Sequence, residues 1–207
     1  EYPGLLREIY DPPVVLNCAG RIEVLQNPAV AVVGSRKPSP YGRAVAEKIS
    51  GDLASRGLVI VSGMARGIDT IAHWGALKEG KTVAVLGSGL ECIYPAENRR
   101  LFDTIRDNGV VVSEFPSDSP PLGFHFPIRN RIIAGLSLAV TVIEAAARSG
   151  SLITARLALE YNREVTAIPG NVTSELSRGP NWLIRHGAKP VADWRDIVEE
   201  LPPPMNE

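Results

Sequence analysis

Three short segments that follow expected strands combine arginine with glycine and serine. They are Gly34-Ser35-Arg36-Lys37, Ser62-Gly63-Met64-Ala65-Arg66-Gly67 and Arg148-Ser149-Gly150-Ser151. Glycine lets backbone N–H groups approach a ligand, serine adds a hydroxyl, and the arginine fork matches phosphate oxygens. Each segment alone is compatible with ordinary helix capping. Placed together they describe a phosphate-binding surface larger than one small anion needs. A fourth segment, Phe126-Pro127-Ile128-Arg129-Asn130-Arg131, puts two arginines and an asparagine near the start of an expected helix. Cations there oppose the helix dipole, so bound phosphate or a buried carboxylate must offset them. Tyr41, Tyr94, Phe115, Phe124 and Phe126 lie in or beside these loops. A cationic track with aromatic rings is how proteins hold single nucleic-acid strands. Tyr41 and Tyr94 are the better stacking candidates, whereas Phe115 and Phe126 read as packing residues.

The elements that must position these segments follow a regular alternation. Short, β-branched apolar runs lie at 29–33, 58–61, 82–86, 109–112, 138–143 and 164–168. Stretches with helical spacing lie between them, at about 41–55, 69–79, 96–107, 127–136 and 151–161. Fully apolar strands alternating with helices predict an α/β, Rossmann-like, doubly wound and mainly parallel sheet with helices on both faces. In such a sheet the loops after the strands line the ligand crevice, and these loops carry the Gly/Ser/Arg segments. Residues 1–27 read as a lead-in packed on the core, 28–201 as the Rossmann-like domain, and 202–207 as a tail or linker stub. A helix around Trp182–His186, an extended piece Lys189–Val191 and a helix through Trp194–Leu201 complete the expected fold.

Composition narrows the function classes. The 207 residues are 44% hydrophobic and 22% charged, with a formal net charge of -1. Such a chain buries a full core but carries no global positive field, so polyanion binding must come from locally placed arginines. Cys18 and Cys92 follow no metal or redox spacing and are expected as buried thiols in a reducing, cytoplasmic setting. No apolar run is long enough to predict membrane insertion, and neither a metal nor a cofactor is expected.

Two motifs are decoys. Gly75–Thr82 fits the phosphate loop G-x4-G-K-[ST], but it follows a helix and precedes a strand, the reverse of what phosphate binding requires. Gly80 reads instead as a helix C-cap. The dinucleotide fingerprint fails because Arg36 stands at its second glycine and the second strand lacks a ribose-binding acid. His73 reads as a hydrogen-bonded packing residue and His186 as a helix-end residue, while His125 is placed to touch a ligand. Glu144 reads as the structural partner of Arg148, and Asp69 as a helix N-cap.

Taken together, the motifs resemble the bacterial DNA-processing protein A family (DprA, also called Smf). The resemblance covers essentially the whole chain. It rests on Y-P-x-L-L with D-P-P within 2–13, VVGSR at 32–36, SGMARGID at 62–69 and AVLGSGLECIYPAEN at 84–98. It continues through SEFP at 113–116, FHFPIRNRIIAGLS at 124–137, EAAARSGSLITA at 144–155 and AIPGNV at 167–172. The resemblance implies a non-enzymatic protein that binds and protects single-stranded DNA, loads the RecA recombinase in natural transformation, and forms a homodimer. It implies that Arg36 clamps a phosphate and that Tyr94 to Asn98 borders the same pocket. Many relatives carry a lysine after that Tyr-Pro; here Ala96-Glu97 follow, and Arg99 is the expected second cation. Residues 181–191 resemble the family's self-association region, making Leu183, Ile184 and Val191 interface candidates, with burial in the core as the rival reading. The alternative function is a nucleotide enzyme similar to phosphoribohydrolases, against which the missing P-G-G-x-G-T loop counts.

Overall fold

The computed structural model describes residues 2–203. Eight strands form one sheet in the order β1-β5-β4-β3-β2-β6-β7-β8. Their ranges are β1 Asn17–Gly20, β2 Ala29–Val33, β3 Val59–Ser62, β4 Thr82–Val85, β5 Val110–Ser113, β6 Ala139–Val142, β7 Glu164–Ala167 and β8 Lys189–Pro190. Every neighbouring pair is parallel except β1 with β5, which is antiparallel. The helices are α1 Gly4–Arg7, α2 Pro40–Ala54, α3 Ile68–Glu79, α4 Arg99–Asn108, α5 His125–Gly135, α6 Gly150–Glu160, α7 Arg178–Arg185 and α8 Trp194–Val198.

The period-2 alternation of the strands divides the core between the two faces. Ala31 and Val33 of β2 pack with Ile132 and Ile133 of α5, Ala155 and Ala158 of α6, and Leu183 of α7. Val30 and Val32 turn the other way, toward Ala46, Ile49 and Leu53 of α2, Ala72 and Ala76 of α3, and Ile197 of α8. Leu101, Phe102 and Ile105 of α4 cover the β4–β5 end of that second face. This is the doubly wound arrangement that the alternation predicts.

Two features depart from the sequence expectations. The lead-in supplies β1, an edge strand pairing Cys18 with Val112, although its short and half-polar NCAG pattern carries no strand signal. Because β1 is an edge with alternating burial, Cys18 faces solvent; Cys92 lies half-buried in the loop after β4, its thiol donating to the Asp118 carbonyl at 3.3 Å. Neither is the buried thiol expected. Gly80 does cap α3, so the phosphate-loop decoy stands at the wrong end of β4. His73 is fully buried, with Nδ1 2.7 Å from the Thr82 hydroxyl. His186 ends α7, stacked on Trp182. Of the tail, Pro204 to Glu207 lies outside the described residues.

The winding sets where a site can form. β2 and β6 are adjacent, and the chain proceeds from them in opposite directions, to β3-β4-β5 and to β7-β8. Their C-terminal ends therefore open a crevice that neither crossover covers.

Candidate nucleic-acid interface

Three loops meet at that crevice, each held by its own sequence. After β2, Gly34 sits where a Cβ would lie 2.7 Å from Ile68 and 2.9 Å from the Glu144 carbonyl. The Ser35 hydroxyl accepts from the Lys37 amide at 3.1 Å, tightening the turn. The Ser35 carbonyl accepts from the Ile68 amide at 3.1 Å, joining this loop to the start of α3. Gly67 makes that approach possible: its φ is +78°, and a Cβ there would stand 2.3 Å from the Ser35 carbonyl oxygen. Only glycine satisfies both demands. Below the loops, the Ser62 hydroxyl donates to the Val32 carbonyl at 2.6 Å, tying β3 to β2.

Glu144 links the loop after β6 to the loop after β2. Its buried carboxylate accepts from the Ser39 amide at 2.8 Å and the Ser39 hydroxyl at 2.5 Å. Ser39 in turn caps α2 by accepting from the Gly42 amide at 3.1 Å. The partner of Glu144 is thus Ser39 and not Arg148, which corrects the sequence expectation. Arg148 is left exposed at the entrance to α6, where Ser149 is the N-cap.

The third wall comes from α5. Arg129 is buried, and its guanidinium donates to the Gly63 carbonyl at 2.7 Å, to the Val85 carbonyl, and to Asn130 Oδ1 at 3.2 Å. Asp69, also buried, accepts from the amides of Gly63 at 3.1 Å and Ala65 at 3.4 Å. Gly67 occupies the N-cap position of α3, so Asp69 is no N-cap; its carboxylate folds back on the preceding loop. Between them, Asp69 and Arg129 satisfy both polar groups of the Gly63 peptide. Burial pushes the Asp69 carboxyl up, against the opposing pull of Arg129 and the two amides. Burial likewise lowers Arg129, to about 10, with Asp69 acting to raise it and Arg36 to lower it.

Together these loops enclose a cleft of about 520 Å3, in the usual size range for small-ligand sites. Gly34, Ser35, Arg36, Arg129, Asn130, Arg148, Ser149 and Gly150 line it, with Asp69, Phe126 and Thr154. Arg36 and Arg148 form no ion pair among the described residues, and both are exposed. A smaller hollow adjoins the cleft, lined by Arg66, Tyr94, Pro95 and Gly87 and sharing Arg36, Ala65 and Phe126 with it. Phe126 stands between the two, 5.6 Å from the Tyr94 ring and with the Arg36 guanidinium 5.5 Å from its own centroid.

The other candidates from the sequence lie elsewhere. Arg131 is held by a two-pronged pair with Glu114, both contacts 2.6 Å, and by Asp11 at 3.0 Å. Protein carboxylates, the half-buried Glu114 and the exposed Asp11, rather than phosphate therefore offset Arg131. Asn98 is buried, donating to the Met64 carbonyl and the Thr70 hydroxyl at 2.8 Å each. It braces the Arg66 loop from behind. Arg99 is exposed and directed along α4 toward Asp103 at 3.8 Å, outside both hollows. Lys37 is exposed next to the cleft without lining it. Leu183 and Val191 belong to the two core faces and Ile184 is half-buried. Leu183 and Val191 are thus core residues, Leu183 because α7 turns that side inward; Trp182 of the same helix is 54% exposed. Of Tyr41, the hydroxyl donates to the Pro169 carbonyl at 3.1 Å with half the residue exposed. His125 is stacked on Phe115 at 3.9 Å and buried, away from the cleft lining.

Sequence reasoning missed the roles of Asp69 and Phe126. The signal for Asp69 was its isolation as an acid at the end of SGMARGID, which reads equally well as a cap. Phe126 looked like packing because nothing in its neighbourhood separates a wall from a core.

A doubly wound sheet whose switch-point crevice is rimmed by unpaired arginines and a helix N-terminus defines a Rossmann-like, anion-binding protein. The family model for DNA recombination-mediator protein A matches residues 1–202, and the chain belongs to that family. It is 51% identical over 201 residues to the DNA processing protein DprA of Streptococcus pneumoniae, covering 97% of this chain and 71% of that protein. It is 48% identical over 202 residues to the protein Smf of Escherichia coli, covering 97% of this chain and 54% of the relative. Among solved structures, DprA from Helicobacter pylori, described for its single-stranded DNA binding mode, superposes with a TM-score of 0.89 at 34% identity. That match covers 95% of this chain and 91% of the other.

Proposed function

We propose that this chain binds single-stranded DNA in the switch-point cleft and serves DNA processing and recombination by protecting the strand and passing it to a recombinase of the RecA type. The observation that carries the reading is the pair of unpaired, exposed arginines, Arg36 and Arg148, facing one cleft beside the α6 N-terminus. Two phosphates of one strand satisfy that arrangement, and their binding brings charge-assisted hydrogen bonds that no protein carboxylate already occupies. Phe126 and Tyr94 offer ring surface between the cleft and the adjoining hollow, so a strand running over Phe126 has both a phosphate track and stacking partners. Membership of the DNA recombination-mediator family and the likeness to a single-strand-binding relative support the same reading. Few phosphate contacts per protomer imply a shallow salt dependence, on the order of three counterions or fewer. A homodimer joins two such clefts on one strand and raises the overall affinity by avidity.

The test is a gel shift comparing single-stranded and duplex oligonucleotides of one sequence, with Arg36→Ala as control. Single-strand binding that the substitution abolishes supports the assignment. Equal binding of both forms, or an indifferent Arg36→Ala, counts against it. Sedimentation of the free and DNA-bound protein tests the dimer separately.

A further inference from the structure

One carboxylate lies behind the rim of free cations. Glu144 is 4% exposed and lines neither the cleft nor the adjoining hollow. It belongs to the loop that carries Arg148 and contacts the loop that carries Arg36. A negative charge near a phosphate site opposes the ligand, and burying that charge is costly unless hydrogen bonds offset it. No ion pair among the described residues includes Glu144. Its role must therefore come from what its hydrogen bonds hold.

Those bonds join two loops beyond the point where the sheet joins them. The pairing of β2 with β6 ends as the Ile143 amide donates to the Val33 carbonyl at 3.1 Å. Past that point both carboxylate oxygens of Glu144 go to one residue, Oε2 accepting from the Ser39 amide and Oε1 from the Ser39 hydroxyl. Ser39 stands three residues after Arg36, and Glu144 four residues before Arg148. Gly42, in the first turn of α2, makes room for the contact, since a Cβ there would lie 2.3 Å from Oε2. The Ser39 hydroxyl gives its one hydrogen to Glu144 while accepting from the Gly42 amide, which ties the contact to the start of α2. Neither partner can swing away without breaking bonds on both sides.

We propose that Glu144 is a positioning residue for strand binding. Through Ser39 it holds the Arg36 loop against the Arg148 loop, so that both guanidiniums meet phosphates of one strand with little ordering left to do on binding. The proposal rests on the reading of the cleft as a single-stranded DNA site and deepens it. It also fixes a sign that charge alone would reverse. Glutamine at 144 keeps the shape and removes a negative charge, which by itself favours a polyanion. Its amide nitrogen cannot accept the Ser39 hydrogen, however, so one of the two bonds is lost and the loops loosen against each other.

The test is fluorescence anisotropy with an oligothymidylate over a series of salt concentrations. It compares the unaltered chain with Glu144→Gln, Arg36→Ala and the two combined, each shown to be folded by denaturant titration. Glu144→Gln weakens binding by about fivefold, the scale of coupling within one hydrogen-bonded network. The slope of log affinity against log salt becomes shallower by about 0.7, the share of one single-strand phosphate. On the Arg36→Ala background Glu144→Gln adds less than about twofold, because the guanidinium it positions is gone. An affinity unchanged or raised in Glu144→Gln overturns the proposal, as does a loss that adds in full to that of Arg36→Ala at an unaltered slope. In either case the cleft remains a strand site as long as Arg36→Ala weakens binding. If oligothymidylate fails to bind, or binds regardless of Arg36, both readings fall together. Should Glu144→Gln not fold, Ser39→Ala removes the hydroxyl from the other side of the contact and is held to the same outcomes.

Discussion

The arginines of the cleft rim and those of α5 have the same chemistry and opposite situations. Arg36 and Arg148 are exposed at one edge of the sheet and have no carboxylate partner among the described residues. Arg129 and Arg131, two residues apart on one helix, are consumed by the fold: Arg129 by the backbone carbonyls of Gly63 and Val85, Arg131 by Glu114 and Asp11. The helix turns the two to different sides, one toward backbone carbonyls and the other toward carboxylates. An arginine is available to a ligand only where the fold leaves it unpaired, and on this edge that happens at the loop tips. Arg66 falls between the two classes, exposed but paired with Glu97 at 2.5 and 3.0 Å.

The sharpest way to break the comparison is to remove a consumed arginine. Arg129→Met leaves Asp69 buried without its cation and strips a donor from the carbonyls of Gly63 and Val85. A buried acceptor left without its donor costs about 1–3 kcal/mol, so with two carbonyls stranded denaturant unfolding shows a loss of about 3 kcal/mol. The double variant Arg129→Met with Asp69→Asn recovers part of it, because the uncompensated charge is gone. A stability unchanged in the single variant places Arg129 with the rim arginines instead.

The same buried neighbourhood sets a pH dependence. Burial, reinforced by the charge of Arg129, holds His73 down at about 3 from its usual 6.5. Between those values the unfolded chain binds a proton that the folded chain refuses, so stability falls as pH drops from 6.5 toward 3. By pH 4 the loss from His73 alone is roughly 3 kcal/mol. His73→Gln, measured by denaturation at pH 7 and pH 4, flattens the profile by that amount; an unaltered slope assigns the acid sensitivity to other groups.

Most of the fold was legible because strands β2 to β6 are buried throughout and α2, α3, α4, α6 and α7 each start or stop at glycine or serine. The edge strand β1 was not, since half of it faces solvent and its four residues carry neither pattern. In the site, Gly34-Ser35-Arg36 and Arg148-Ser149-Gly150 stood out because their chemistry is local. The fates of Arg129 and Arg131 did not, because Gly63, Val85, Glu114 and Asp11 reach them from distant parts of the chain. Leu183 and Val191 were ambiguous for the same reason: a short apolar run reads alike at an interface and in a core.

The rim itself is probed by Arg36→Ala. With no partner to strand and an exposed side chain, the substitution leaves stability within about 0.5 kcal/mol. Affinity for a single strand falls about tenfold or more, as expected for losing a charge-assisted contact to phosphate. Arg131→Ala inverts this pattern, weakening the fold through Glu114 and Asp11 while single-strand affinity holds. Equal effects on binding from both substitutions erase the distinction between the two classes.

Arg66 gives the smallest effect and the finest discrimination. Its pair with Glu97 is more than half exposed on both sides, so the pair itself contributes little to stability. A phosphate arriving at the adjoining hollow must nonetheless displace or accommodate that carboxylate. Glu97→Gln keeps the shape, removes the repulsion and releases Arg66 to the strand. Single-strand affinity then rises, by up to about fivefold given the 0–1 kcal/mol scale of exposed pairs. The gain fades at high salt, since exposed charges are screened. Glu114→Gln, applied to the better-buried pair with Arg131, instead lowers stability and leaves affinity alone. Were Glu97→Gln to leave affinity unchanged at low salt, the strand would bypass Arg66, and the phosphate track would end at the cleft with Arg36 and Arg148.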